Sequence, residues 1–391
     1  MRSRRHRIVW LGALALACSG AVGAGHPSRP HPTTAGAIAI ANLDHQIAQR
    51  HDDAGVEDLL LARSRFLGDY DALDRAVSLA ESRSLTGRDL LRRAQTRSAV
   101  HRFSDALADL AAAERAGANG DEIAAVRSSI LVATGHAGEA IPRLETDASA
   151  HPGFASRSSL ATAYAAAGRI EDADRLYAAA LADLETTSPF PYAWLYFARG
   201  MMWAEQAGDR RRGEAFYVQA LVHLPEFAAA NIHLAELETA RGDLASAVVR
   251  LRRVIAASNE PEALALLGEI QVRMGDRTRG SHDIEMARLR YESLLARHRL
   301  AFADHAAEFY LGPGGDAERA WLLAKQNLAN RETSRAFLLA IRAARATGRN
   351  HEACVLSADA QAHAKSGDVE PPACRFISHR TSGRLGRPGE S

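Results

Sequence analysis

The sequence predicts an all-α solenoid of stacked antiparallel helix pairs, and three observations predict it. The first is composition. Of 391 residues, 47% are hydrophobic but only 6% aromatic, and alanine is the commonest type. That suits helices that approach closely through small side chains, not a β-sandwich. The second is texture, since short amphipathic segments follow one another with almost no strand-like alternation of apolar and polar residues. The third is an internal period. A helix-ending turn recurs at Gly68, His101, Gly135, Gly168, Gly208, Gly242, Gly275, Gly315 and Gly348, in steps of 33, 34, 33, 40, 34, 33, 40 and 33 residues. A chain this long exceeds one ordinary core, and nine turns at that spacing favour a repeat array.

In chain order, the first element is an export leader. Arg2, Arg4, Arg5 and Arg7 form a basic segment, Ile8 to Ala17 an apolar stretch, and Cys18 to Ala24 a small-residue run. Cleavage after Ala24 is the expectation, giving a signal peptide over 1–24. The apolar stretch is too short to span a bilayer, which takes about 20 residues. Lipidation at Cys18 is the alternative, although Ala15 stands where a lipidated Cys usually has Leu. Residues 25 to about 36 are rich in Pro, Ser, Thr and Gly, and a disordered linker is expected over 25–40. The helical array is expected over 41–365, in about nine repeats. The tail 366–391 holds three prolines and no apolar periodicity, and is expected to be flexible.

Each repeat has the same internal logic. Glycine at the end of the first helix takes the left-handed conformation that closes it and starts a tight turn. Small residues recur seven positions before the turn (Ala94, Ser128, Ala161, Ala235, Gly268) and five after it (Ala106, Ala140, Ala173, Ala247, Gly280). They let the two helices cross closely. Pro152 and Pro225 stand 17 residues after their glycines, where the second helix stops. The pattern is degenerate in places: His101 replaces the turn glycine, Leu73 replaces the small residue, and Gly213 fills that position in repeat five. The two longer steps contain Thr186-Thr187-Ser188-Pro189 and Gly312-Pro313-Gly314, expected to lengthen loops between repeats.

The period, the Gly-Asp turn and the small crossing residues resemble the tetratricopeptide repeat family over about residues 52 to 365. Leu224-Pro225, Ala235, Gly242-Asp243 and Ala247 carry that resemblance most closely. It implies a right-handed superhelix whose concave groove, lined by the first helix of each repeat, holds a peptide or protein partner. The Lys/Asn set with which some members clamp a carboxylate is absent.

Signs of catalysis are few. There is no phosphate loop, no GxSxG elbow and no HExxH. His298 and His305 are seven apart but lack a third ligand, so neither a metal nor another cofactor is expected. An adjacent Asp304-His305 pair on a helix faces apart, and a structural hydrogen bond is expected there. No unassigned stretch is long enough for a catalytic domain, so the expectation is not an enzyme. Net charge is +1, and removal of the leader's four arginines makes it −3. That balance argues against nucleic acid or an anionic membrane as the main partner. Export permits disulfides, and Cys354 and Cys374 form a candidate pair, the alternative being one buried and one free thiol.

Candidate binding residues follow from alignment on the turns. In repeat two Arg88, Leu91, Arg92, Gln95 and Ser98 are placed on the groove, and in repeat four Ala155, Ser158, Thr162 and Ala165. Glu236, Thr239, Glu262 and Glu269 form an acidic strip in repeats six and seven. Arg335, Leu338, Arg342 and Arg345 form a basic end in repeat nine. Eight of the 22 aromatic residues beyond the leader fall within 190–217. Some must fill core, because Trp194, Phe197 and Met201 follow helical spacing. The functional reading adds Trp203 and makes the cluster an aromatic-lined pocket. The favoured function is an extracytoplasmic protein-interaction scaffold. The alternative is a carrier of a glycan fragment or hydrophobic molecule at the repeat-five aromatics.

Overall fold

The computed structural model describes residues 33–50, 55–83, 86–258 and 260–363. The leader with Cys18, the first half of the linker, and the tail with Cys374 lie outside the described residues. Cys354 itself is disulfide-bonded. Among the described residues there are eighteen α-helices, one π-helical segment and no strand. None of the helices is long and apolar enough to cross a membrane.

The first helix, α1 (Gly36–Arg50), begins inside the stretch expected as linker. Ala39, Leu43 and Ile47 form a buried stripe at helical spacing, which outweighs the Pro- and Thr-rich residues just before it. Nine helix pairs follow. They are α2 (Val56–Leu67) with α3 (Tyr70–Ser82), α4 (Gly87–Ala99) with α5 (Phe103–Arg115), and α6 (Gly120–Ala133) with α7 (Ala137–Ala150). Next come α8 (Phe154–Ala166) with α9 (Ile170–Ala182), α10 (Pro189–Met201) with α11 (Arg210–His223), and α12 (Ala228–Ala240) with α13 (Leu244–Ala257). Helix α14 (Pro261–Arg273) pairs with the first part of α15 (Arg277–Leu311), and the second part of α15 pairs with α16 (Ala317–Asn330). The last pair is α17 (Ser334–Ala346) with α18 (Asn350–His363).

All nine expected turn residues have positive φ, from +57° at His101 to +96° at Gly135. The Asp that follows five of the glycines has a distinct task. Asp69, Asp209, Asp243, Asp276 and Asp316 each accept a hydrogen bond from the backbone N–H three residues on, capping the second helix. Such a cap contributes about 1 kcal/mol. Gly closes one helix and Asp opens the next. At the crossing of α14 and α15 a Cβ on Gly268 would lie 2.8 Å from the Gly280 carbonyl, so backbone meets backbone there.

The two 40-residue steps are accommodated chiefly in helices, although Thr186-Thr187-Ser188 does lie in a lengthened connection, residues 183–188, between repeats four and five as expected. In repeat five α10 runs on into a π-helical segment, Met202–Gln206. The extra residue shifts the crossing to Gly200, eight positions before Gly208, against Gly213. In repeats seven and eight the second helix of one continues into the first helix of the next as α15, kinked at His298. Gly312-Pro313-Gly314 lies within the turn of repeat eight, not between repeats.

The array winds tightly. Tyr70, after the turn of repeat one, donates to Glu260 Oε2 at the start of repeat seven at 2.5 Å. His101, the turn of repeat two, lies 3.2 Å from the Leu300 carbonyl at the start of repeat eight's first helix. Its own carbonyl accepts Asn330 Nδ2 at 3.0 Å. At repeat three the Thr134 carbonyl accepts the Glu332 N–H, just before repeat nine, at 2.9 Å. Three successive turns meet the start of the repeat six further on. One superhelical turn therefore takes six repeats, and the edges of successive turns touch. The join is cored: Phe66 sits 5.0 Å from both Phe190 and Phe227. Leu73 and Val100 belong to the cluster built around Phe302 and Tyr310.

Candidate functional site

The first helices of repeats five to nine present a row of charged side chains, and tight winding brings its ends together. Arg335, on the first turn of α17, reaches Glu308 Oε2 on the neighbouring repeat at 3.0 Å. It also reaches Glu205 Oε2, on the π-helical segment of repeat five, at 3.4 Å. His233 on α12 lies 3.2 Å from Glu205 and 3.3 Å from Glu236. His305 on α15 lies 3.5 Å from Glu262 on α14. Glu236 and Glu262 of the acidic strip and Arg335 of the basic end are thus neutralised by close partners.

Electrostatics follow from that arrangement. Burial alone would lower the His305 pKa, but Asp304 and Glu262 outweigh it and hold the ring protonated up to about 10. Burial pushes Glu262 up, and His305, His233 and Arg335 overcome it, holding the carboxyl at about 2. His233 is also raised against burial, by Glu236 and Glu205. Asp304 is held at about 2 by His305 and Arg331 despite burial. Its carboxylate accepts the backbone N–H of His305 at 3.0 Å, the structural bond expected of that adjacent pair. His298 goes elsewhere: at the kink its ring meets Asp74 of repeat one at 2.6 Å. The two histidines considered as a metal pair therefore serve different contacts, and no group of three or more metal ligands occurs among the described residues.

Other expected residues separate by burial. Thr239 is buried and donates to the Ala235 carbonyl at 2.7 Å, so it leaves the strip. Glu269, Arg342 and Arg345 are exposed and form no ion pair among the described residues. Leu338 is 57% exposed beside them. The repeat-five aromatics fill core. Trp203 is 6% exposed, its Nε1 donates to Asp174 at 3.0 Å, and Arg212 covers its ring at 3.7 Å. Phe197 packs 4.9 Å from Phe227, Trp194 bridges two core clusters, and Met201 is partly buried. Of the residues expected to line an aromatic pocket, Trp203 is buried in a core cluster and Trp194 and Phe197 pack against core clusters. The longer first helix of repeat five and the docked repeat one claim those rings instead.

Periodicity alone does not point to Glu205, His233 or Glu308. Glu205 faces inward only because the π-helical segment rotates it there. In repeat two Gln95 and Ser98 line a cavity, as their spacing implied.

Helix pairs joined at left-handed turns on a 33–34-residue period, with first helices lining an inner wall, define a tetratricopeptide-type α-solenoid. No protein-family profile matches the chain, and no curated protein matches it in sequence. Among solved structures it is similar to the Cut9–Hcn1 tetramer of the APC/C, at 17% identity and TM-score 0.42, over 75% of this chain and 57% of that one. The chain thus spans little more than half the length of the chain it matches there. A tetratricopeptide repeat protein from Parabacteroides merdae aligns at 15% identity and TM-score 0.38, over 64% of this chain and 93% of that one. Human IFIT1, as a dimer with m7Gppp-AAAA, aligns at 13% identity and TM-score 0.43, over 84% and 82%. The repeat class rests on this chain's own turns and helix pairs.

Proposed function

We propose that this chain is an exported, non-enzymatic scaffold that holds a segment of a partner protein against the inner wall of repeats five to nine. One observation carries the reading. Glu269, Arg342 and Arg345 stand exposed on that wall with no ion pair among the described residues, while Glu205, His233, Glu262, His305, Glu308 and Arg335 around them are paired. Side chains without an ion pair on a concave, otherwise satisfied surface are free to exchange water for a ligand's charges. A segment with basic groups toward repeat seven and acidic groups toward repeat nine fits them. The leader over 1–24 supports export, with the mature chain starting at Gly25.

Photocrosslinkers at Glu269 and Arg342, compared with one at the exposed Leu322 on α16, test this in the native host. Polypeptide adducts from the inner positions, lost on Glu269→Lys with Arg342→Glu, are expected. Adducts from Leu322 alone, or adducts removed by nuclease, would refute it. Amino-terminal sequencing of the exported form checks the cleavage site, and a lipid-modified Cys18 would replace it.

A further inference from the structure

Repeats one to three enclose a second site, outside the wall just described. A cavity of about 330 Å3 lies between the inner faces of α2, α4 and α6. That is the size of a small-ligand pocket, at the lower end of the usual 300–1,000 Å3 range. Its apolar lining includes Leu61, Phe66, Phe103 and Val126. Six polar side chains line it: Asp58, Arg65, Gln95, Ser98, His101 and Ser129. The His101 ring lies 3.2 Å from the Leu300 carbonyl, whereas Asp58, Arg65, Gln95 and Ser98 make no side-chain hydrogen bond or ion pair among the described residues.

Nearby charges on the same helix are handled differently. Arg63, two residues before Arg65, is bonded to both Asp44 and Asp69. Glu57, next to Asp58, is held by Arg83. Asp58 and Arg65 are the exceptions. The Arg65 side chain is exposed, whereas Asp58 bears the cost of its position. Burial raises Asp58 to about 6, with Glu57 adding to the effect and Arg92 and Arg50 opposing it. A carboxylate desolvated without a hydrogen-bonded partner destabilises the fold, so a ligand's cation at Asp58 would recover that free energy, while Arg65 is placed to take the ligand's anion.

The two charges set the ligand's length. They are seven residues apart on one face of α2, two helical turns, or about 10.5 Å along the axis at 1.5 Å per residue. An extended chain covers about 3.3–3.6 Å per residue, so about three residues span the same distance. We propose that this cavity binds a short peptide with free termini, about three residues long, its amino group at Asp58 and its carboxylate at Arg65. Gln95 and Ser98 from the facing helix supply hydrogen bonds to its backbone, and the apolar lining admits small side chains. The site is independent of the wall in repeats five to nine.

Calorimetric titration of the full chain with trialanine tests it, alongside N-acetyl-trialanine and trialanine amide. Each blocked form is expected to bind at least tenfold more weakly. Asp58→Asn should weaken trialanine and erase the further effect of acetylation, and Arg65→Gln should do the same for amidation. Neither variant should melt below the wild type, because each removes an unpaired charge. No binding at millimolar trialanine, or equal binding of a peptide blocked at both ends, overturns the proposal. So does a wild-type titration indifferent to either terminus.

Discussion

Phe66 belongs to repeat one, yet its ring is packed between Phe190 and Phe227 of repeats five and six, with both centroids at 5.0 Å. In a solenoid held only by nearest neighbours, truncating it would loosen repeat one and little else. Here the cavity would open between superhelical turns. Phe66 is 2% exposed, so Phe66→Ala should cost about 3–5 kcal/mol. That is about two to three and a half powers of ten in the local opening constant. Hydrogen exchange by mass spectrometry reads the consequence directly. Amides of α10 and α12 beyond their first turns should lose protection together with those of α2, although some 120 to 160 residues separate Phe66 from the two rings it meets. Protection lost from α1 to α3 alone, with α10 and α12 unchanged, would refute the six-repeat winding.

Three further outcomes follow from the same geometry. Gly168→Ala meets open space at φ +77° and should cost about 1 kcal/mol, whereas Gly135→Ala would set a Cβ 2.3 Å from the Glu332 carbonyl and should cost clearly more in thermal melts. Asp243→Ala removes a cap accepted from Ser246 N–H and should cost about 1 kcal/mol in urea unfolding, while Glu185→Ala, at an exposed loop position away from any cap, should not. Burial and the Glu262 carboxylate raise Glu260 to about 7, with Tyr70 and His305 opposing. The folded state therefore prefers the protonated form. Its stabilisation is present below about 4.5 and is lost as pH rises through about 7. Urea midpoints at pH 5 and 7.5 should fall further for wild type than for Glu260→Gln, and parallel changes would contradict the assignment.

Much of the fold was legible because its determinants are local. Each turn glycine and each Gly-Asp pair acts within a few residues, so the nine turns could be placed from spacing alone. The winding was not legible. It depends on contacts such as Tyr70 with Glu260 and Thr134 with Glu332, between residues some 190 or more positions apart, and no periodicity encodes them. His101 illustrates the difference. As a turn residue it reads only as a departure from glycine. In the structure its positive φ is held by Leu300 and Asn330 across the join, a constraint that offsets local strain. The aromatic cluster was visible, but its fate depended on repeat one docking against it. Glu205 needed the π-helical segment. Asp58 and Arg65 stood out only once their neighbours were seen to be paired.

The join between repeats three and nine offers the most direct test of the winding. Spin labels at Gly138 and Ser334, both exposed and on opposite sides of the Thr134–Glu332 contact, can be measured by double electron–electron resonance. Touching superhelical edges predict one narrow distribution at the short end of the measurable range. A broad or long distribution would mean an open solenoid and would contradict the six-repeat turn.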